Sequence, residues 1–285
     1  MLKFLFLAIP VLFMFFSCDG ESRKIKKYTD KPASVMFEDL KTLYTEKSRK
    51  IMEFGANEAF SLIIKNQKEF EQAIEKIKKA NNMSDVISEV ADNLTRISEN
   101  YQKIAGLSND IGKYTINTMD ELSIGEKATE KAIKINLDEI AKLDVEMEKA
   151  RVDLRNDLID NNQKMMLEAT VHGNASMINS LRAQNTIWKK FGEKQARVLK
   201  SLNSSSHSIG AILFVLQKNA DVYAVAAQTA RMSKNVHELL GNLNALQNID
   251  AALRDLQDSW SDLNDIINEI AAINFEDSFN RENIL

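Results

Sequence analysis

Residues 84–105, SDVISEVADNLTRISENYQKIA, indicate the fold class of this chain. Their apolar side chains recur at alternating steps of three and four residues: Ile87, Val90, Leu94, Ile97, Tyr101 and Ile104. Side chains at this spacing line one face of an α-helix, because a helical turn contains about 3.6 residues. The remaining positions are mostly polar, so the segment predicts an amphipathic helix that packs a narrow apolar seam against other helices.

The same spacing continues on both sides of this segment. Further helices are predicted at residues 33–80, 126–172, 177–203, 209–230 and 233–273, with a bend near Gly55. The apolar stripe of the 126–172 helix includes Leu137, Ile140, Met147 and Met165. From Ile249 onward the heptad is regular, as coiled-coil-like packing requires.

Polar or glycine-containing segments separate the predicted helices. They lie at residues 81–84, 106–112, 173–174 and 204–208, and residues 119–125 are expected to form a short turn or irregular helix. The strongest turn signal is GLSNDIG at 106–112, because clustered Gly, Ser, Asn and Asp favour turns. Asn82 or Ser84 is expected to cap the helix that follows the first of these breaks.

The composition agrees with an all-helical body. Pro10 and Pro32 are the only prolines, and strand alternation and Asn-Gly or Asp-Gly hairpin signals are essentially absent. The sequence therefore predicts an all-α fold, an elongated helical bundle of long, coiled-coil-like antiparallel helices. We assign residues 33–273 to this bundle domain and residues 274–285 to a frayed C-terminal tail.

The N-terminus has the layout of a bacterial lipoprotein signal. Lys3 precedes the apolar run Phe4 to Phe16, and Ser17 places a small residue just before Cys18, the single cysteine of the chain. Thirteen apolar residues containing a proline fall short of the roughly 20 that span a bilayer. We therefore predict a signal peptide at 1–17 and lipidation at Cys18, which leaves no thiol for an intramolecular disulfide.

Residues 18–32 are predicted to form the lipidated cysteine and a flexible tether. This stretch is polar and rich in lysine, and fully extended it would reach about 45 Å. Its cations Arg23, Lys24, Lys26 and Lys27 could also rest on anionic headgroups. The simpler interpretation is a solvated linker that leaves the body free to reach a partner.

The sequence contains no recognisable catalytic or metal-binding pattern. His172, His207 and His237 are scattered and lack HExxH spacing, and there is no Walker loop, GxSxG elbow or EF-hand loop. The acidic pairs at helical spacing, such as Asp153 and Asp157, are typical of a solvated helix face. We expect no enzymatic activity and no cofactor. A net charge of −4 with mixed signs indicates no nucleic-acid partner.

Two apolar features have alternative interpretations. The segment 209–230 is either a buried core helix, which we favour, or a membrane-inserting element of a pore-forming protein. The heptad stripe at 239–270 fits packing inside a bundle, which we favour, or a homodimer seam. The lysine clusters Lys76, Lys78, Lys79 and Lys189, Lys190 are expected to be solvated surface, although such groups can contact glycosaminoglycans.

The segment FMFFSC at 13–18 and the Asn-, Lys- and Ile-rich body with almost no proline resemble the helical surface lipoproteins of Borrelia-type spirochaetes. The resemblance implies a non-enzymatic surface protein that binds a host protein, such as a complement regulator or a matrix component. It also implies a lipid anchor in the outer membrane with the body facing the exterior. The alternatives are a periplasm-facing scaffolding lipoprotein and a helical pore-former.

Overall fold

The computed structural model describes residues 20–56, 58–79, 83–156, 159–232 and 250–276, together with positions 241, 243, 245, 246 and 248. Every regular element in these residues is a helix. Helix α1 covers residues 20–29, and the others are α2 (Ala33–Ala56), α3 (Glu58–Lys79), α4 (Met83–Asp153), α5 (Asn161–Met232) and α6 (Asp250–Ala271). The predicted all-α helical bundle is confirmed.

The chain forms two compact units, and the predicted bundle domain at 33–273 is divided between them. Unit 1 contains residues up to 45, residues 120–199 and residues from 266 onward. Unit 2 contains residues 46–119 and 200–265. Each of the two long helices α4 and α5 therefore contributes one part to each unit.

Helices α4 and α5 pack antiparallel within each unit. In unit 1, Asn136 bonds to Asn185, and a Cβ at Gly192 would lie 3.7 Å from the Thr129 methyl. In unit 2, the Ser98 hydroxyl donates to the Ala220 carbonyl at 2.9 Å, and Arg231 donates to the Asp92 carboxylate at 3.2 Å. In each unit, residue numbers decrease along α5 as those of the contacting residues increase along α4. The two helices are therefore antiparallel, as in a helical hairpin.

The predicted breaks at 106–112, 173–174 and 204–208 are wrong, because α4 continues through the first and α5 through the other two. Residues 119–125, expected as a short turn or irregular helix, are part of α4. No glycine that the structure describes has a positive φ, so none of them forms a left-handed cap. Ser204 of the last segment instead contacts α6, where it accepts a hydrogen bond from Ser259 at 3.1 Å, and Ser201, just before the segment, donates to the Ser259 carbonyl at 2.7 Å.

Gly125 has a structural role in the packing of α2 against α4. A Cβ there would lie 3.0 Å from Tyr44 Cε2 and 3.3 Å from Leu40 Cδ2, so the missing side chain lets α2 approach α4 closely. The Tyr44 hydroxyl then donates to the Leu122 carbonyl at 2.5 Å. Gly106 and Gly173 meet nothing within 4 Å and have no such role.

These contacts predict opposite signs for glycine substitutions. Gly106→Ala and Gly173→Ala should each stabilise the fold, by up to about 1 kcal/mol, because alanine is the better helix former and the space is open. Gly125→Ala should destabilise it, by about 1–3 kcal/mol, because Tyr44 and Leu40 must shift. Chemical denaturation of the three variants checks the signs, and destabilisation by Gly106→Ala would contradict the continuous α4.

Unit 1 is held by an aromatic core. Phe37 on α2 stacks on Phe275 with ring centroids 5.0 Å apart, and Trp188 lies 5.3 Å from Phe37 and 5.4 Å from Phe275. Phe191 completes the cluster 4.9 Å from Phe37. Phe275 is 2% exposed, so the predicted frayed tail is wrong at this position. Residues 277–285 of the tail lie outside the described part of the chain.

Unit 2 has the larger aliphatic core, and the opening segment supplies one wall of it. Val90, Leu94, Ile97, Tyr101 and Ile104 are all buried there, as their spacing predicts. Tyr101 stacks on Tyr223 of α5 with centroids 5.5 Å apart, and Phe70 of α3 meets Tyr223 edge-on at the same distance. α3 is antiparallel to α4, because Asn66 pairs with Asn100 and Lys76 with Glu89.

The flexible tether predicted at 18–32 is replaced by α1 from residue 20 onward. Glu21, Ile25, Tyr28 and Thr29 are half-buried, at the spacing of one helix face, and Glu21 forms an ion pair with Lys127 of α4. The helix ends before Pro32, since a proline disfavours a helical residue before it. Residues 1–19, including the predicted signal peptide and Cys18, lie outside the described residues.

Candidate functional site: the end of the helical hairpin

The hairpin end is the part of α4 and α5 between Asn136 and Asn185. Its base is fixed by these two buried amides, with Asn136 Nδ2 donating to Asn185 Oδ1 at 3.0 Å. Ile140, Leu143 and Ile178 form a small buried cluster, against which Met147 and Leu181 pack. All five apolar residues come from α4 and α5, so this cluster is built by two helices alone.

The chain reverses between Asp153 and Asn161. Asp160 begins α5 as its N-cap: its carboxylate accepts a hydrogen bond from the Gln163 backbone N–H at 2.8 Å. A carboxylate at this position also interacts favourably with the positive end of the helix. The pattern Asp160-Asn-Asn-Gln163 resembles a capping box. The prediction of one continuous helix over 126–172 did not take this sequence signal for a turn into account.

Exposed apolar side chains concentrate on the hairpin end. Six of the thirteen exposed large apolar residues that the structure describes belong to the hairpin end: Leu137, Val145, Val152, Met165, Met166 and Met177. Val145 is 71% exposed and Met166 is 72% exposed. The prediction that Leu137 and Met165 belong to a buried stripe is therefore wrong.

Val145 and Val152 share one face of α4. They are seven residues apart, and at 100° per residue they lie on the side opposite Leu143, which faces α5. Charged residues surround them: Arg151 lies 3.7 Å from Glu148, and Glu146 accepts a hydrogen bond from Asn174 at 3.5 Å. The hairpin end thus offers apolar contacts within a charged rim, which is the composition of a protein-binding surface.

The titratable residues singled out in the sequence do not assemble into a reactive site. His207 contacts the Asn203 carbonyl of its own helix, His172 is exposed on α5, and His237 lies outside the described residues. Among the residues searched, no group of three or more His, Cys, Asp or Glu could hold a metal ion. Lys142 pairs with Glu139 at 3.1 Å, and Asp157 is not among the described positions.

The perturbed pKa values reflect packing in the two cores. Burial raises the pKa of Tyr44 well above its usual range, and the nearby Glu126 carboxylate adds to the shift. Burial also raises the pKa of Glu126 itself, while that of Tyr223 is raised by burial beside Tyr101. The tyrosines are therefore held as neutral structural groups.

Two of the three lysines near the α3–α4 turn, Lys76 and Lys79, form ion pairs, and Lys78 is exposed. Lys76 binds Glu89, and Lys79 binds Glu75 at 2.9 Å. The hydrogen bond from Lys79 lowers the pKa of the Glu75 carboxyl. A surface cleft of about 490 Å³ lies among these side chains, and its lining residues are Gln72, Glu75, Lys76, Lys79, Val86 and Glu89. The mixed charges neutralise one another, which leaves no net basic site there.

The segment 209–230 lies in the core of unit 2. Ile209, Ile212, Leu216, Ala220 and Tyr223 are buried, whereas Phe214 and Val225 are more than half exposed. Helix α5 is long enough to cross a membrane and contains one sufficiently apolar window, of which 39% is buried. Core helices of soluble proteins have the same length and composition, so this window alone does not indicate a membrane span.

The heptad stripe of α6 is covered by the chain itself. Its buried members are Leu256, Trp260, Leu263, Ile267 and Ile270, with Leu243 preceding the helix. At its C-terminal end, Arg197 of α5 lies 3.0 Å from Glu269, and Lys194 also pairs with this carboxylate. A homodimer through the described part of this stripe would have to open a unit first. Residues 239–240 lie outside the described part.

Comparison of the sequence with protein-family models and with curated proteins, and of the fold with solved structures, finds no match.

Proposed function

We propose that this chain is a lipid-anchored, non-enzymatic bacterial surface protein that binds a host protein, of the complement-regulator or matrix class, through the hairpin end. The observation that carries the proposal is the concentration of exposed apolar residues on that surface. The layout of residues 1–18 supports the anchor.

The hairpin end suits presentation to a partner. Helix α4 runs about 39 Å from Lys127, where α1 is attached, to its last residue Asp153. The binding surface is therefore well separated along α4 from the residues next to the anchor. Its two-helix core is small, so partner contact would add apolar burial that this part of the fold otherwise lacks.

Binding should depend on the exposed methionines of the hairpin end. Met166→Glu introduces a charge at the proposed interface and should weaken binding at least about tenfold, because a buried unpaired charge is costly. The melting temperature should not change, since Met166 is 72% exposed. Binding of the purified variant to a panel of complement regulators and matrix proteins, compared with the unaltered chain, measures this effect.

The control is Met232→Glu, which places the same charge on an 81% exposed methionine outside the hairpin end. Equal binding by the unaltered chain and by both variants would contradict the proposed surface. Protease treatment of intact cells separates this proposal from a periplasm-facing scaffold. Cleavage of the chain only after the outer membrane is broken would favour the scaffold.

A further inference from the structure

Helix α1 carries its positive charges on the side that faces away from the rest of unit 1. Its inner face consists of Glu21, Ile25, Tyr28 and Thr29, all half-buried. At 100° per residue, Arg23 and Lys27 lie nearly opposite this face, and both are exposed. The exposed residues Lys24 and Lys26 lie on the two flanks. Four cations thus cover the outer surface of one short helix.

The acidic residues nearby do not cancel these charges. Glu21 is directed toward unit 1, where it pairs with Lys127 and raises the pKa of that lysine. Asp39 pairs with Lys31, beyond the end of the helix. Asp30 is the only acidic residue exposed between residues 20 and 31. The outer face of α1 therefore has a net positive charge of about three from its side chains.

The position of this face relative to the predicted anchor specifies its partner. Only residues 18 and 19 separate the start of α1 from the acylated thiol, a span of about 7 Å even when extended. That distance is within the Debye length of about 8 Å at physiological salt, so headgroup charges act on α1. The half-buried side chains of Ile25, Tyr28 and Thr29 pack α1 against the rest of unit 1, and Glu21 adds an ion pair with Lys127, so the helix is not a loose spacer.

We propose that the basic face of α1 binds the anionic headgroups of the membrane that holds Cys18, so that unit 1 is docked on the membrane surface. This inference rests on the proposed lipid anchor for its geometry. The contacts are phosphate and other anionic oxygens of lipid headgroups with Arg23, Lys24, Lys26 and Lys27. Each cation near an anionic surface strengthens binding about fivefold.

The test uses the lipidated mature chain in vesicles of phosphatidylcholine and in vesicles that also contain phosphatidylglycerol. Asp30→Cys, exposed at the far end of α1 from the anchor, supplies the only free thiol, because the single native cysteine is acylated, and it receives an environment-sensitive dye. The dye should report contact with the bilayer on the anionic vesicles only. At about 1 M salt, where the Debye length falls to about 3 Å, that contact should be lost.

Two double variants with the same change in charge test whether docking on anionic vesicles depends on the basic face of α1. Arg23→Gln with Lys27→Gln should lower the ratio of docked to undocked protein about thirtyfold. Lys189→Gln with Lys190→Gln removes two exposed cations from α5 and should leave the ratio unchanged. Equal dye signals on neutral and anionic vesicles, or equal effects of the two double variants, would overturn the proposal.

Flotation of the vesicles distinguishes failure of the anchor from failure of the basic face. An anchored chain floats with both kinds of vesicle. If it fails to float with neutral vesicles, the anchor is wrong. Flotation with anionic vesicles then shows whether the basic face binds headgroups without an anchor. Flotation of the unaltered chain that is lost in the Arg23 and Lys27 variant supports binding by the basic face. Failure of the unaltered chain to float with anionic vesicles refutes it.

Discussion

Replacement of Phe275 by alanine is expected to lower the free energy of unfolding by about 3–5 kcal/mol. The phenyl ring is almost fully buried and stacks on Phe37 at 5.0 Å and on Trp188 at 5.4 Å. Its removal leaves a cavity between α2 and α5 that these large rings cannot fill. Lys41 also donates to the Ile273 carbonyl at 2.9 Å, which holds the segment before Phe275 in place.

Phe214→Ala is the matched control for this substitution. Phe214 is 55% exposed on α5, and Lys218 lies over its ring at 5.9 Å. Its truncation should change the stability by no more than about 0.5–1 kcal/mol. Urea denaturation of both variants gives the comparison, and equal small effects would show that the chain after α6 is frayed after all.

Leu216→Ala should destabilise unit 2 by about 2–5 kcal/mol, because Leu216 is fully buried in its core. The purified, lipid-free chain should release no dye from liposomes, since the apolar side of residues 209–230 packs against α4 and not against lipid. Denaturant melts and a dye-release assay measure the two effects.

The same segment also allows the pore-forming alternative to be tested. Leu216→Asp should unfold unit 2 if the segment is core, because the carboxylate would be buried without a partner. Dye release by the unaltered chain, together with a folded Leu216→Asp variant that releases none, would instead assign the segment to a membrane. That result would replace the host-binding proposal with the pore-former.

The periodicity of apolar residues correctly predicts the helix faces that are buried in a core. Val90, Leu94, Ile97 and Ile104 are buried as their spacing requires, and the α6 heptad is buried from Leu256 to Ile270. Apolar burial supplies most of the free energy of folding, so a regular stripe is a strong signal. Residues 209–230 pack into the core of unit 2, as expected from an apolar run that Lys218 and Asp221 make too short to span a bilayer.

Most of the predicted turns are wrong because they rest only on the local preference of glycine and serine for turns. Gly106 costs about 1 kcal/mol inside a helix, which is small beside the packing of a 71-residue helix. Gly125 is needed for close approach of Tyr44, and Ser201 for a bond to Ser259, yet neither partner is adjacent in sequence. Such long-range reasons for a residue type cannot be recognised from one sequence.

The hairpin end was missed for a related reason. Leu154, Leu158 and Met165 continue a helical spacing across the true reversal, so periodicity alone extended one helix through it. Ile140 and Leu143 are buried, whereas Val145 and Met166 are exposed, and the sequence alone does not distinguish these two pairs. The capping pattern at Asp160 was the available local clue to the turn.

We expect the chain to be held on a membrane through Cys18, and growth of the cells with labelled palmitate measures the lipidation of this residue. The unaltered chain should incorporate the label and sediment with membranes, whereas Cys18→Ala should incorporate none and should be unprocessed or soluble. Since no other cysteine is present, the label has no alternative thiol. Equal labelling of the unaltered chain and of Cys18→Ala, or no labelling of either, would contradict the account.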